Sequence, residues 1–162
     1  MLFAAILLLG RRHSRGRQDI RLDTMALHPS HTRILIYSDD VTVRKAARAA
    51  LGQQISSDLS ENDIHEFATG GALHAYIDQN AASVDLIILD GEAVPEGGMG
   101  IARQIKDEVF NSPPILLLTA RADDAWLATW SRADAIVQHP IDPFTFASAA
   151  AQLLTARAGT AN

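Results

Sequence analysis

The sequence contains no cysteine. This absence excludes disulfide bonds, thiol catalysis and cysteine metal sites, and it fits the reducing cytoplasm in which we expect the protein to work. Long apolar runs are missing as well. The run within residues 1–10 falls well short of the roughly 20 residues that cross a bilayer, so we expect no membrane span.

Positive charge is scarce in most of the chain. Residues 1–33 contain six Arg and two acidic residues, whereas the remainder contains eight Lys or Arg and 17 acidic residues. An acidic body of this kind argues against nucleic acid as a partner. We interpret residues 1–31 as a disordered basic extension, with Met25 or a nearby codon as an alternative start; a weak membrane-surface anchor is the other interpretation.

With 162 residues, 48% of them hydrophobic, the chain has the size of one globular domain, which we assign to residues 32–155. Residues 156–162 are interpreted as a C-terminal tail. Strand-like and helix-like segments alternate along the domain. The predicted strands are 33–40, 64–68, 84–90, 115–119 and 135–140; the predicted helices are 41–52, 72–81, one around 101–109, one capped by Asp123 or Asp124, and one from near Asp142 to about Leu154.

The third predicted strand, residues 84–90, is the centre of this arrangement. Its apolar run ends abruptly in Asp90, and a glycine-rich loop follows. A strand this apolar is typical of a parallel sheet covered by helices on both faces. The alternation therefore predicts an α/β fold, a flavodoxin-like (βα)5 doubly wound sheet of five parallel strands in the order 2-1-3-4-5.

Chemistry-bearing side chains follow the ends of these strands. Such a sheet brings the carboxyl ends of its strands to one edge, which here places Asp39, Asp40, Asp90, Thr119 and His139 together. Clustered carboxylates suit Mg²⁺, and a metal-screened carboxylate can attack a phosphoryl group and form an acyl phosphate. The simpler interpretations are a turn residue for Asp90, a helix N-cap for Asp40 and a solvent-facing strand end for His139.

Over residues 32–155 the sequence resembles the receiver domain of two-component response regulators. The resemblance rests on Asp90, on the segment 34–40 with Val43 and Arg44, and on three later pairs: Thr119-Ala120, Ala133-Asp134 and His139-Pro140. Residues 89–95 and 124–130 further resemble an actinobacterial group of stand-alone receiver-like proteins.

That resemblance implies a non-enzymatic signalling protein of the phosphorelay class, which at most phosphorylates and dephosphorylates itself. It implies Asp90 as the phosphoacceptor, assisted by Thr119 and His139. The implied cofactor is Mg²⁺, held by Asp39, Asp90 and the backbone carbonyl of Glu92, with Asp40 as a further candidate ligand. The implied partners are a sensor histidine kinase or a small phosphodonor, and a downstream protein.

The resemblance includes three departures from the family pattern, which imply an atypical receiver. Ser38 stands at the position of the first of two acids, His139 at that of a lysine, and Ile136 at that of a switching aromatic residue. Two functions therefore remain open: a phosphorylated response regulator, and a phosphorylation-independent module for docking or dimerisation. A Mg²⁺-dependent phosphohydrolase is a third and weaker hypothesis, because Glu92 rather than a second aspartate follows Asp90 by two residues.

The two tryptophans suggest where a partner binds. Trp126 and Trp130 are four residues apart and so share one face of the predicted fourth helix. Two large aromatic rings exceed what a short helix needs to bury on a small sheet. We therefore predict a partner surface that comprises Trp126, Trp130 and Ile136, used by a downstream protein or a second copy of the chain.

Overall fold

The computed structural model describes residues 31–121 and 125–160. Five strands alternate with five helices along these ranges, as the sequence predicts. The elements are β1 (Thr32–Tyr37), α1 (Val41–Leu51), β2 (Asn62–Phe67), α2 (Gly70–Asn80), a 3-10 turn (Ala81–Ser83), β3 (Leu86–Asp90), α3 (Gly98–Glu108), β4 (Ile115–Thr119), α4 (Ala125–Ser131), β5 (Ala135–Gln138) and α5 (Pro143–Thr160).

All strand pairs are parallel, and the strand order is β2-β1-β3-β4-β5. This confirms the predicted flavodoxin-like fold and places β3 at the centre of the sheet. Every residue of β3 and of β4 is buried, because helices cover both faces of the sheet. The side chains predicted to be buried are all buried: Leu35, Ile87, Ile88, Leu116, Leu117 and Val137.

Alternate residues of each central strand supply two separate cores. Leu35, Ile87 and Leu117 pack on one face with residues of α2 and α3. Ile36 and Ile88 belong to the core of the other face, together with residues of α1 and α5. The period-two alternation of a strand thus divides its continuous apolar run between two helical layers.

Two strands end earlier than predicted: β1 ends at Tyr37 rather than Asp40, and β5 ends at Gln138 rather than Pro140.

Two predicted helix boundaries are also wrong. Helix α2 begins at Gly70 rather than Ala72, since the Thr69 side chain accepts a hydrogen bond from the Ala72 N–H at 3.3 Å and caps the helix there. Helix α5 continues past Leu154 to Thr160, so most of the predicted tail is helical. Its last turns are rich in alanine, the best helix former, and Arg157 lies favourably near the helix C-terminus.

The remaining predictions concern one helix end, the N-terminal extension, two helix caps and the absence of a membrane span. Gly52 ends α1 with a φ of 62°, a left-handed conformation that glycine adopts without steric penalty. The N-terminal extension, except for its last residue, and the caps Asp123 and Asp124 lie outside the described residues. Within the described part of the chain, no helix has the length and apolarity that crossing a bilayer requires.

Candidate functional site

An open cleft of about 380 Å³ lies at the carboxyl ends of the strands. The sequence analysis predicts that the acidic strand ends and His139 meet at this edge, and the structure brings them together there. The residues that line the cleft are Asp39, Asp40, Val43, Asp90, Glu92, Ala120 and His139. Thr119, the last residue of β4, is buried beside this group and is not one of the lining residues.

Asp90 is the most enclosed carboxylate of the cleft, with 3% of its surface exposed. The Ser38 hydroxyl donates to Asp90 Oδ2 at 2.7 Å, and the Glu92 backbone N–H donates to Oδ1 at 3.0 Å. The His139 Nε2 atom lies 3.3 Å from the same Oδ1. Both oxygens therefore have hydrogen-bond partners, as a buried carboxylate requires.

The contact between Ser38 and Asp90 was not predicted from the sequence. Ser38 is fully buried directly after β1, and its side-chain oxygen also accepts the Asp40 N–H at 3.1 Å. The hydroxyl thus joins the end of β1 to the end of β3. Its position after an apolar strand was visible in the sequence, but its direction depends on the path of the loop.

The loop after β1 is held by α1. Arg44 donates to the backbone carbonyls of Ser38 at 2.6 Å and Asp39 at 3.2 Å. The Asp40 Oδ1 atom accepts the Thr42 N–H at 2.7 Å, which makes Asp40 the N-cap of α1. Hydrogen bonds from Thr42 hold the pKa of Asp40 below its usual range. Asp40 therefore serves mainly as a cap, and Asp39 is the freer acid of the loop.

His139 completes the site from β5. Its backbone N–H donates to the Thr119 carbonyl at 2.8 Å, which extends the pairing of β4 and β5 by one residue. The imidazole lies beside Asp90 and lines the cleft. A histidine forms an ion pair with a carboxylate only when it is protonated. A lysine at this position would instead carry a positive charge at neutral pH.

Two residues at the end of β4 complete the contacts of the cleft. The Ala120 N–H donates to Glu92 Oε1 at 3.3 Å, a side-chain contact that the sequence does not reveal. The Thr119 hydroxyl donates to the Arg121 carbonyl at 3.5 Å. In this conformation the Thr119 hydroxyl contacts its own loop rather than a residue that lines the cleft.

The cleft offers few side-chain ligands for Mg²⁺. Among the described residues, no group of three or more His, Asp and Glu side chains is arranged to hold a metal ion. Asp39 and Asp90 nevertheless line the same cleft, and Mg²⁺ is often bound by one or two carboxylates while it keeps several waters. The residues present therefore fit Mg²⁺ with a reduced set of protein ligands, because a serine replaces one acid.

The residues of the predicted partner surface are exposed. Trp126 has 66% and Trp130 has 49% of its surface accessible, and Ile136 on the neighbouring strand β5 has 38%. Arg103 of α3 donates to the Trp130 carbonyl at 3.2 Å and so ties α4 to the body of the domain. The two tryptophans are not part of the core, which leaves their rings available for contact with another protein.

No model of a known protein family matches the sequence. Two curated proteins of Mycobacterium tuberculosis, each called an uncharacterized response regulatory protein and taken from different strains, are 50% identical to the chain over 126 residues. These alignments cover 78% of this chain and 93% of each relative.

Solved structures show the same fold at low sequence identity. A CheY-like response regulator receiver domain protein from Methanospirillum hungatei is 17% identical, with a TM-score of 0.66 over 81% of this chain and 99% of that chain. The response regulator DrrB of Thermotoga maritima, an OmpR/PhoB homolog, is 22% identical, with a TM-score of 0.64. That match covers 78% of this chain and about half, 54%, of DrrB.

The 50% identity to the mycobacterial relatives covers most of both chains and shows a common family. The strand order and the residues gathered around Asp90 are consistent with that family. The chain therefore belongs to the response regulators of two-component signalling, and its described residues form their receiver domain.

Proposed function

We propose that this receiver accepts a phosphoryl group on Asp90 from a sensor histidine kinase or a small phosphodonor in the cytoplasm, and that it signals through contacts with another protein. The observation that carries this proposal is the geometry of Asp90. Asp90 is the last residue of the central strand, and its side chain is almost fully buried. It lines the cleft together with Asp39, Glu92 and His139. Such a carboxylate is held in one orientation, as a nucleophile must be.

The contacts of Asp90 favour Oδ1 as the attacking atom. Oδ2 is held by the short hydrogen bond from Ser38, whereas the two contacts of Oδ1 are longer. In the proposed step Oδ1 forms a bond to phosphorus, the bond from phosphorus to the donor breaks, and the donor leaves with that electron pair. Hydrolysis by water then regenerates the carboxylate and releases phosphate.

Residues of the chain would stabilise the transferred group. Asp39, Asp90 and the carbonyl of Glu92 would hold Mg²⁺, which screens the negative charges of the carboxylates and the phosphoryl group. A protonated His139 would donate to a phosphoryl oxygen, as would the Thr119 hydroxyl after rotation. Like response regulators in general, the protein is proposed to be a switch that at most phosphorylates and dephosphorylates itself, not an enzyme.

The signal is proposed to leave through the surface that comprises Trp126, Trp130 and Ile136. Thr119 and Ala120 precede α4, so a change in their contacts alters the connection to the helix that bears both tryptophans. Large aromatic side chains are common energetic centres of protein interfaces. The partner would be a downstream protein or a second copy of this chain.

A second candidate is a phosphorylation-independent module for docking or dimerisation. It is favoured by the hydrogen bonds that already satisfy Asp90 and by Ile136, an aliphatic side chain on the exposed edge of β5. In that case the tryptophan surface would bind its partner equally well whether Asp90 is modified or not.

Phosphorylation with acetyl phosphate and Mg²⁺ tests the first proposal. We expect intact-mass spectrometry to show one phosphoryl group on the wild-type protein, lability in hydroxylamine as an acyl phosphate requires, and none of this in Asp90→Asn. Exposed Asp78 of α2 supplies a matched control, since Asp78→Asn removes a carboxylate that does not line the cleft. Modification of Asp90→Asn to the wild-type extent would refute Asp90 as the acceptor.

Self-association distinguishes the two candidates. For a phosphorylation-dependent surface, sedimentation equilibrium should show tighter association after acetyl phosphate, and Trp130→Ala should abolish the difference. For the docking module, association should be the same in wild type and Asp90→Asn, yet still weaken in Trp130→Ala. If Trp130→Ala only lowers the melting temperature and leaves association unchanged, the partner surface lies elsewhere.

A further inference from the structure

Glu92 connects the proposed phosphoacceptor to the end of β4. Its backbone N–H donates to Asp90 Oδ1 at 3.0 Å, and its side-chain Oε1 accepts the Ala120 N–H at 3.3 Å. The preceding residue holds this loop beside β4, because the Gly91 N–H donates to the Leu118 carbonyl at 2.8 Å. One residue therefore contacts both sides of the cleft.

Ala120 lines the same cleft as Asp90, and its backbone N–H donates to the carboxylate of Glu92, another lining residue. A backbone N–H in that position can donate to any anion in the cleft. In the unmodified chain it donates to the Glu92 carboxylate, which is an anion of the protein itself. The site thus already contains an occupant of the kind that a phosphoryl group would supply.

The Glu92 carboxylate and a phosphoryl group on Asp90 would compete for the Ala120 N–H, because both are negatively charged acceptors. A phosphoryl group on Asp90 carries roughly two negative charges, in place of the single charge of the carboxylate, and three strong acceptor oxygens. Placed on Asp90, it would repel the Glu92 carboxylate and offer a better acceptor to the same N–H. The backbone N–H of Glu92 would stay in place, since it belongs to the loop that Gly91 holds against β4.

We propose that the Glu92 carboxylate occupies the Ala120 amide in the unmodified receiver and is displaced from it by a phosphoryl group on Asp90. This inference rests on the proposed phosphorylation of Asp90 and adds the regulation of that site. The moving part is then a glutamate at the mouth of the cleft. The movement of Glu92 would replace the rotation of a switching aromatic residue, because Ile136 stands at that position and has no aromatic ring.

Glu92→Ala and Glu92→Gln test the displacement, with Glu96→Gln as the matched control. Glu96 lies on the same loop, but its carboxylate lies where a Cβ on Gly70 would be, at the start of α2. The probe is beryllofluoride with Mg²⁺, which mimics a phosphoryl group on a carboxylate. The readouts are the ¹H–¹⁵N resonance of Ala120 and the binding constant of the probe.

In the wild type we expect the Ala120 resonance to move when beryllofluoride binds. In Glu92→Ala it should already be moved without the probe, and the probe should bind about threefold to tenfold more tightly, the effect of removing one competing charged acceptor. Glu92→Gln, which keeps an acceptor oxygen without the charge, should lie between the two. Glu96→Gln should stay within about twofold of wild type, in line with a surface charge.

Two results would overturn the inference, and they are distinguishable. If beryllofluoride binds but Glu92→Ala changes neither the free Ala120 resonance nor the affinity, then Glu92 is no competitor and the phosphorylation proposal still stands. If Asp90 is labelled neither by acetyl phosphate nor by the probe in wild type and in Glu92→Ala alike, then both proposals fail. Circular dichroism of each variant shows that the fold is intact.

Discussion

The two ends of the parallel sheet treat their carboxylates differently. At the amino end, Asp134 Oδ2 accepts the Ile115 N–H at 2.7 Å and also pairs with Lys106 Nζ at 2.7 Å. Asp85 Oδ2 accepts the backbone N–H of Arg33 at 2.8 Å. These acids join the starts of neighbouring elements, and Asp134 has a permanent cation beside it.

At the carboxyl end, no Lys or Arg among the described residues pairs with Asp90. Its donors are a serine hydroxyl, a backbone N–H and the imidazole of His139. Each end has a cleft of nearly the same volume, about 390 Å³ beside Lys106 and about 380 Å³ beside Asp90. Size therefore does not distinguish the two clefts; the difference is that the proposed phosphoacceptor is oriented by hydrogen bonds without a Lys or Arg beside it.

The largest expected effect comes from adding a second carboxylate beside Asp90 at the carboxyl end of the sheet. Ser38→Asp places a second carboxylate at a fully buried position in hydrogen-bond reach of Asp90. Two such carboxylates cannot both ionise without penalty, so unfolding without divalent ions should become easier by about 3 kcal/mol. Mg²⁺ should restore much of this loss and bind more tightly than to wild type. Urea unfolding with and without Mg²⁺ measures both quantities.

Ser38→Ala is the control for that change, because it removes the hydrogen bond without adding a charge. It should lower the free energy of unfolding by about 1 kcal/mol, with no gain in Mg²⁺ affinity. An unaltered Mg²⁺ affinity in Ser38→Asp would count against Asp39 and Asp90 as metal ligands.

The next effect concerns the amino end. Asp134→Ala leaves the Ile115 N–H without its acceptor and removes the partner of Lys106, whose side chain is only 13% exposed. We expect a loss of about 2 kcal/mol in the free energy of unfolding, measured by urea denaturation. Asp134→Asn keeps an acceptor oxygen and should lose less.

Asp90→Asn sharpens the contrast between the two ends. Its neutral donors can still contact an amide oxygen, and the change removes a negative charge from an acidic cleft, so stability should change by less than about 1 kcal/mol. A loss in Asp90→Asn as large as that in Asp134→Ala would remove the distinction between a structural carboxylate and a reactive one.

Another pair of variants tests how closely α3 packs against the proposed phosphoacceptor. A Cβ on Gly98 would lie 2.5 Å from the backbone oxygen of Asp90, whereas one on Gly100 meets nothing within 4 Å. Gly98→Ala should therefore destabilise by about 1–2 kcal/mol through overpacking. Gly100→Ala should stabilise by up to about 1 kcal/mol, since alanine is the better helix former. Equal stabilities of the two variants, measured by thermal unfolding, would contradict the close packing.

Most of the fold could be predicted because its signals are local. Apolar runs marked β1, β3 and β4, and Gly52 and the Pro113-Pro114 pair marked helix ends. The gathering of Asp39, Asp90 and His139 followed from topology, since parallel strands bring their carboxyl ends to one edge. The errors at α2 and α5 concern only where the helices begin or end. Helix α2 begins at a glycine because Thr69 caps it. Helix α5 continues beyond its last buried leucine, Leu154, because alanines favour the helix there.

The contacts within the site could not be predicted in the same way. The hydrogen bonds from Ser38 to Asp90 and from the Ala120 N–H to Glu92 join residues 52 and 28 positions apart. Whether such side chains meet depends on loop paths and rotamers, which no local pattern encodes. The sequence thus indicates which residues reach the cleft, and the structure is needed to show which donor faces which acceptor.

The smallest expected effect concerns acid stability at the amino end of β2. The hydrogen bond with His65 and then that from Arg33 hold the pKa of Asp63 below its usual value. The unfolded chain therefore takes up a proton at higher pH than the folded chain does. The stabilisation is fully present above the unfolded pKa of about 3.9 and is lost as the pH falls through the lower folded pKa.

Asp63→Asn should remove this contribution. Because the side chain is 37% exposed, water screens the interaction, and we expect a difference of only about 0.5 kcal/mol from wild type above about pH 5. The difference should shrink to zero at lower pH, where Asp63 is protonated in both states. Urea midpoints from pH 7 to pH 2 measure it, with exposed Asp78→Asn as the control. A difference that stays constant through the acid range would mean that Asp63 acts through packing, because a charge contribution must disappear when the carboxylate is protonated.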